Sequence, residues 1–115
     1  MPETVADLEV PELELDDHEH LFLWRRRERL SQTDAAREFG LTRGVYQLCE
    51  EAKREIDFRY ERQNGVTPQE YCVLMRQRYG VTQEDIAEAL GVSRVWVNMM
   101  EAGRAPVGKL LAYWS

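Results

Sequence analysis

A chain of 115 residues, 43% hydrophobic and 31% charged, has the make-up of a globular protein in one ordinary domain or two very small ones. It holds no apolar run long enough to span a membrane, its acidic start is not expected to be a secretory signal, and two cysteines, Cys49 and Cys72, are too few for a disulfide scaffold. The net charge of −6 argues against a nucleic-acid partner until its distribution is read: eight of the 21 acids lie in residues 1–20, which hold no Lys or Arg, so the other 95 residues carry all 15 Lys and Arg against 13 acids, a balance of +2.

Residues 1–17 mix acids with Val5, Leu8, Val10, Leu13 and Leu15 and with prolines at 2 and 11. They are read as an acidic, mobile arm that competes with phosphate for the basic surface. The alternative is an arm whose apolar residues cover a groove on the folded part. A helix is expected from about His18 to Arg29. Ser31 caps a short helix over Gln32–Phe39, with Asp34 at its third position and a stop at Gly40. Thr42 caps the next helix. Its apolar residues continue through Tyr46, Cys49, Ala52, Ile56 and Tyr60 with no Gly or Pro, so it is predicted to run to about Arg62 as a rigid connector. Thr67-Pro68-Gln69-Glu70 is a strong helix start, and that helix runs to Tyr79. Thr82 caps a helix ending at Leu90-Gly91, and Ser93 caps one ending near Ala102. Pro106 opens a last short helix with Leu110, Leu111, Tyr113 and Trp114 on its apolar face. No segment alternates with period two, so the fold class is all-α.

Leu21–Glu51 superimposes without a gap on Cys72–Ala102, an offset of 51 residues with nine identities. These are Leu23/Leu74, Arg25/Arg76, Arg27/Arg78, Gln32/Gln83, Asp34/Asp85, Ala36/Ala87, Gly40/Gly91, Arg43/Arg94 and Glu50/Glu101. One unit is therefore expected twice, over 18–63 and 64–115, after the arm of 1–17. Small Ala36 and Ala87 suit a close helix crossing, and Gly40 and Gly91 suit a turn with positive φ.

The run Thr82-Gln83-Glu84-Asp85-Ile86-Ala87-Glu88-Ala89-Leu90-Gly91-Val92-Ser93-Arg94, with Val97, Met100, Glu101 and Gly103, resembles the Cro/C1-type (XRE) helix-turn-helix family. Leu30–Glu50 is a looser copy, and its Gly40-Leu41-Thr42-Arg43-Gly44 is also weakly similar to KorA-type plasmid repressors. The resemblance implies two tandem helix-turn-helix units whose second helices enter the major groove of double-stranded DNA with their first turns. Thr42, Arg43 and Gln47 would read in the first unit; Ser93, Arg94, Trp96 and Asn98 would read in the second. Arg suits guanine O6 and N7, and Gln suits adenine. Gln32 and Gln83 would hold a phosphate and brace the reading helix. Trp96 has two readings, a cover for a thymine methyl or sugar and a contact to a partner protein. The resemblance also implies internal ion pairs Arg25–Glu50 and Arg76–Glu101. Arg26, Arg29, Lys53 and Arg54 remain as phosphate contacts.

The function expected is that of a sequence-specific transcriptional regulator of prokaryotic, phage or plasmid origin, a repressor acting by occlusion in the cytoplasm. Its partners would be double-stranded DNA and a second copy of the chain, joined through the second unit or the C-terminal helix. The rival is a protein-interaction module for RNA polymerase or another regulator, or a DNA mimic through the acidic arm. His18-Glu19-His20 is too poor in ligands for a metal, and no catalytic constellation or cofactor motif stands out.

Overall fold

A computed structural model describes residues 9–60 and 65–115. Among them lie seven helices and no strand: α1 (Asp17–Arg27), α2 (Gln32–Glu38), α3 (Arg43–Glu50), α4 (Pro68–Arg78), α5 (Gln83–Leu90), α6 (Arg94–Glu101) and α7 (Gly108–Trp114). The fold is all-α. The chain divides into two compact units, described over 14–60 in one and over 9–13 together with 65–115 in the other. Shifted by 51 residues, α1 has the bounds of α4 and α3 those of α6, while α2 is one residue shorter than α5.

The caps explain where each helix begins. Ser31, Thr42, Thr67, Thr82 and Ser93 each accept a backbone N–H three residues on, which satisfies a donor that the first turn leaves without a partner. Asp16 takes the same place before α1, with the Glu19 carboxylate accepting from the Asp16 N–H at 3.0 Å. Glu70 answers Thr67 in the same way at 2.9 Å. The last helix begins at Gly108, two residues later than Pro106 suggested.

The helix stops are equally regular. Residues 29, 40, 52, 80, 91 and 103 all have φ between +57° and +79°, and they form three pairs at the same offset. At each stop the following N–H bonds back to the carbonyl five residues earlier, as Lys53 N–H does to Leu48 at 2.9 Å and Arg104 N–H to Met99 at 2.8 Å. Four of the six residues are glycine, which takes this conformation without strain. The other two are Arg29 and Ala52.

The Ala52 stop corrects the sequence reading. The helix expected from Thr42 to about Arg62 ends at Glu50, and no helix connects the units through 51–60; Arg62 itself lies outside the described residues. Instead 55–59 has no helical structure. Phe58 is buried against the core of the first unit, with Ile56 half-buried beside it. Tyr60 stacks on Trp24 at 4.8 Å, and Arg59 donates to the Glu38 carbonyl at 2.7 Å while lying over the Phe39 ring. The segment is a strap across α1 and α2. In the second unit α7 does this work, burying Leu110 and Leu111 and stacking Trp114 on Tyr79. Ala52→Gly should relieve the left-handed strain and raise stability by about 1 kcal/mol, read as a higher melting temperature. An unchanged or lower one would mean that Ala52 carries no strain.

Both cysteines are buried in the cores, and burial pushes the Cys72 thiol up to about 12. Val10 and Leu13 pack on the core of the second unit. Leu15, by contrast, lines a cleft of the first unit. Val5 and Leu8 lie outside the described residues. Leu13→Ala should therefore cost about 1–2 kcal/mol of second-unit stability, checked by urea denaturation. No helix among the described residues is long and apolar enough to cross a membrane.

Candidate nucleic-acid interface

In each unit a tight stop and a capped restart set one helix end free. In the first unit, Leu41 N–H bonds to the Ala36 carbonyl at 2.9 Å, closing α2; Thr42 Oγ1 then takes the Val45 N–H and opens α3. In the second, Val92 N–H bonds to the Ala87 carbonyl at 3.0 Å, and Ser93 Oγ takes the Trp96 N–H. Ala36 and Ala87 are both buried below these turns. Larger side chains there would push the paired helices apart.

The far ends of α3 and α6 are anchored. Arg25 grips Glu50 with two hydrogen bonds, Nε to Oε2 at 2.7 Å and Nη2 to Oε1 at 3.1 Å. Arg76 grips Glu101 in the same manner at 2.8 and 3.2 Å. The carboxylate side chains are 7% and 4% exposed, so these are largely desolvated pairs. Each Arg also donates to the carbonyl just beyond its own helix, Leu30 or Val81. Burial opposes the Arg25 charge, but the hydrogen bonds and charge of Glu50 outweigh it and raise the guanidinium pKa. Burial first, and then the same carboxylate, pushes the Tyr46 phenol far above its ordinary range. Both expected ion pairs are present.

A third member completes each anchor. Gln32 Nε2 donates to Glu50 at 3.2 Å, and Gln83 Nε2 donates to Glu101 at 2.9 Å. Gln32 and Gln83, expected to hold a phosphate and to brace the second helix of each unit, bond that helix through the Glu of the ion pair. The signal for that bond was there, since Gln32 and Gln83 precede Glu50 and Glu101 by the same 18 residues.

The remaining site residues fall into two groups. Arg43 is exposed on the first turn of α3 and Arg94 on that of α6. Val95 and Trp96 follow Arg94 with 68% and 41% exposure, so this end of α6 is apolar as well as basic. Thr42 and Ser93 use a hydroxyl lone pair as a cap and keep the hydroxyl proton for another acceptor. Gln47 donates to Glu51 at 3.0 Å, and Asn98 accepts from Gln83 at 3.4 Å. Hydrogen bonds from Gln47 and Lys53 hold the exposed Glu51 carboxyl below its usual range. Of the phosphate candidates, Arg29 sits exposed at the α1 stop, Arg26 is half-buried on α1, and Lys53 pairs with Glu51 at 3.3 Å. Arg54 lines an open cleft of about 610 Å³ with Asp16, His18, Cys49 and Ile56.

Asp16, His18 and Glu19 bring ligand atoms within 4.8 Å of one another. Glu19 is buried and its carboxylate is already bonded to the Asp16 N–H, so that cluster is explained by the α1 cap.

The chain matches no curated protein and no solved structure. Residues 74–110, which run from α4 into α7, match a family model described as a helix-turn-helix domain. The capped, anchored pair α5 and α6 lies wholly inside that match, and the second unit carries a helix-turn-helix domain.

Proposed function

We propose that this protein is a sequence-specific DNA-binding transcriptional regulator with two helix-turn-helix units in tandem, similar to the Cro/C1-type family, and that it represses by occluding its site. One observation carries the reading. Both α3 and α6 present an exposed arginine on a capped first turn while an Arg–Glu–Gln anchor holds the opposite end. A reading helix needs this combination, because its free end must reach base edges without the helix shifting on its own domain. The positive balance of 21–115 supplies phosphate attraction, and the acids sit largely in residues 1–20.

The test is duplex binding across a range of salt. A steep negative slope of log affinity against log salt, with selection of particular sequences from a random pool, is expected. Arg43→Ala should lose about 1–3 kcal/mol of base discrimination. Arg29→Gly should weaken all duplexes alike and lower the salt slope by about one. Equal, uniform losses in both variants would remove Arg43 from the reading role.

A second reading is favoured by one feature, the apolar pair Val95 and Trp96 at the α6 start. In it the second unit binds a protein, either a second copy of the chain or a regulator, and the first unit alone reads DNA. Sedimentation at rising concentration, with and without Trp96→Ala, separates the two: a Trp96-dependent dimer or complex supports the second, and a monomer with undiminished DNA selection supports the first.

A further inference from the structure

Gln47 and Asn98 stand at equivalent positions on α3 and α6, and the structure turns their amides in opposite senses. The cause lies in the anchors. An ionised carboxylate only accepts, so Glu101 compels Gln83 to face it with Nε2, at 2.9 Å. The same Nε2 then faces Asn98 and takes its Oδ1 as acceptor at 3.4 Å. Donor direction thus passes from Arg76 to Glu101, and from Gln83 to Asn98. Asn98, an exposed residue, has one oxygen lone pair engaged and keeps its two Nδ2 protons for an outside partner. In the first unit Gln32 also faces its Glu, but Gln47 spends its nitrogen on Glu51 and keeps its oxygen.

We infer that Asn98 is a specificity-determining residue whose buttressed amide reads keto bases, guanine or thymine, in the major groove. The inference rests on the DNA-reading proposal above. A free asparagine pairs with adenine, donating to N7 and accepting from the N6 amino group. Held by Gln83, Asn98 has its oxygen turned to that amide and one lone pair engaged, which weakens the accepting half. Guanine offers acceptors N7 and O6, and thymine offers O4. Adenine offers N7 alone, beside an amino group that opposes the second Asn98 donor, and cytosine offers only an amino group. The neighbours agree in character: Arg94 adds donors that suit guanine, and Val95 adds an exposed apolar side chain that suits the thymine methyl.

The experiment is selection of bound duplexes from a pool with a randomised centre, using the full chain and reading base frequencies by sequencing. In the unaltered protein one column should favour guanine or thymine over adenine by about tenfold, the lower range for a base contact. Asn98→Asp replaces donors by acceptors, and the same column should turn to adenine or cytosine. Gln83→Met removes the buttress, and adenine should enter that column. Gln83 also bonds Glu101, so this variant is read beside its melting curve; Asn98→Asp alters only an exposed side chain and carries the test if Gln83→Met folds poorly. A column that favours adenine in the unaltered protein and responds to Asn98→Asp would overturn the inference. So would an Asn98→Asp profile identical to the original. No enrichment of any sequence by the unaltered protein would instead overturn the DNA-reading proposal, and this inference with it.

Discussion

Glu101→Ala should cost about 3 kcal/mol of stability, the low end for breaking a buried ion pair from one side. The change leaves the Arg76 guanidinium without its two carboxylate bonds and Gln83 without its nearest acceptor. The loss comes less from the missing attraction than from a charge left poorly solvated. Two further measurements identify the cause. High salt should not restore the variant, because Glu101 is nearly shut off from solvent and buried pairs are weakly screened. Replacing both partners, Arg76→Met with Glu101→Leu, should recover most of the loss, since apolar pairs of similar volume often match buried ion pairs in stability. A single variant that melts within a degree of the parent would show that the anchor does not hold α6. Glu50→Ala should behave in the same way in the first unit.

Phe58→Ala should cost about 3 kcal/mol and unfold the first unit selectively. Phe58 is the buried residue of the strap, and its ring stacks with His20 and meets Tyr60 edge-on. Trp24, Phe39 and Tyr60 form the continuation of that aromatic cluster. The first unit has no fourth helix of its own among the described residues, so the strap closes its core. Amide hydrogen exchange reads the result by region. Protection should fall across α1 to α3 and persist across α4 to α7. A uniform fall in both units would mean that the strap contributes to a shared cooperative core. If no fall is seen, the first unit does not need the strap.

Both effects trace to how far the helices were legible from residues alone. The caps were local chemistry: Ser31, Thr42, Thr67, Thr82 and Ser93 each mark a start because a hydroxyl can accept one orphan N–H. The ion pairs were legible because the family resemblance implies them and the same two charged residues recur 25 apart in both copies. The strap was not. Ile56 and Tyr60 lie four apart, a spacing that fits one face of a helix and one face of an extended chain equally well. Phe58 between them settles the matter, but only where it can be seen to be buried. The signal that could have settled it earlier was Gly103, the equivalent of Ala52, one residue past the end of the aligned window.

The sequence by itself determined the number and type of most elements, the recurrence at 51 residues and the basic start of α3 and α6, and with the family resemblance it gave the two anchoring ion pairs. Each rests on interactions between residues near in the chain or on a pattern written twice. Only the tertiary structure decided where α3 stops, what closes the first unit, and that Val10 and Leu13 of the arm belong to the core of the second. Alanine is a strong helix former and takes the left-handed turn at a cost of about 1–2 kcal/mol, so at residue 52 local preference points to a longer helix. The burial of Phe58, Ile56 and Tyr60 against α1 and α2 then outweighs the few hydrogen bonds that a longer helix would have added.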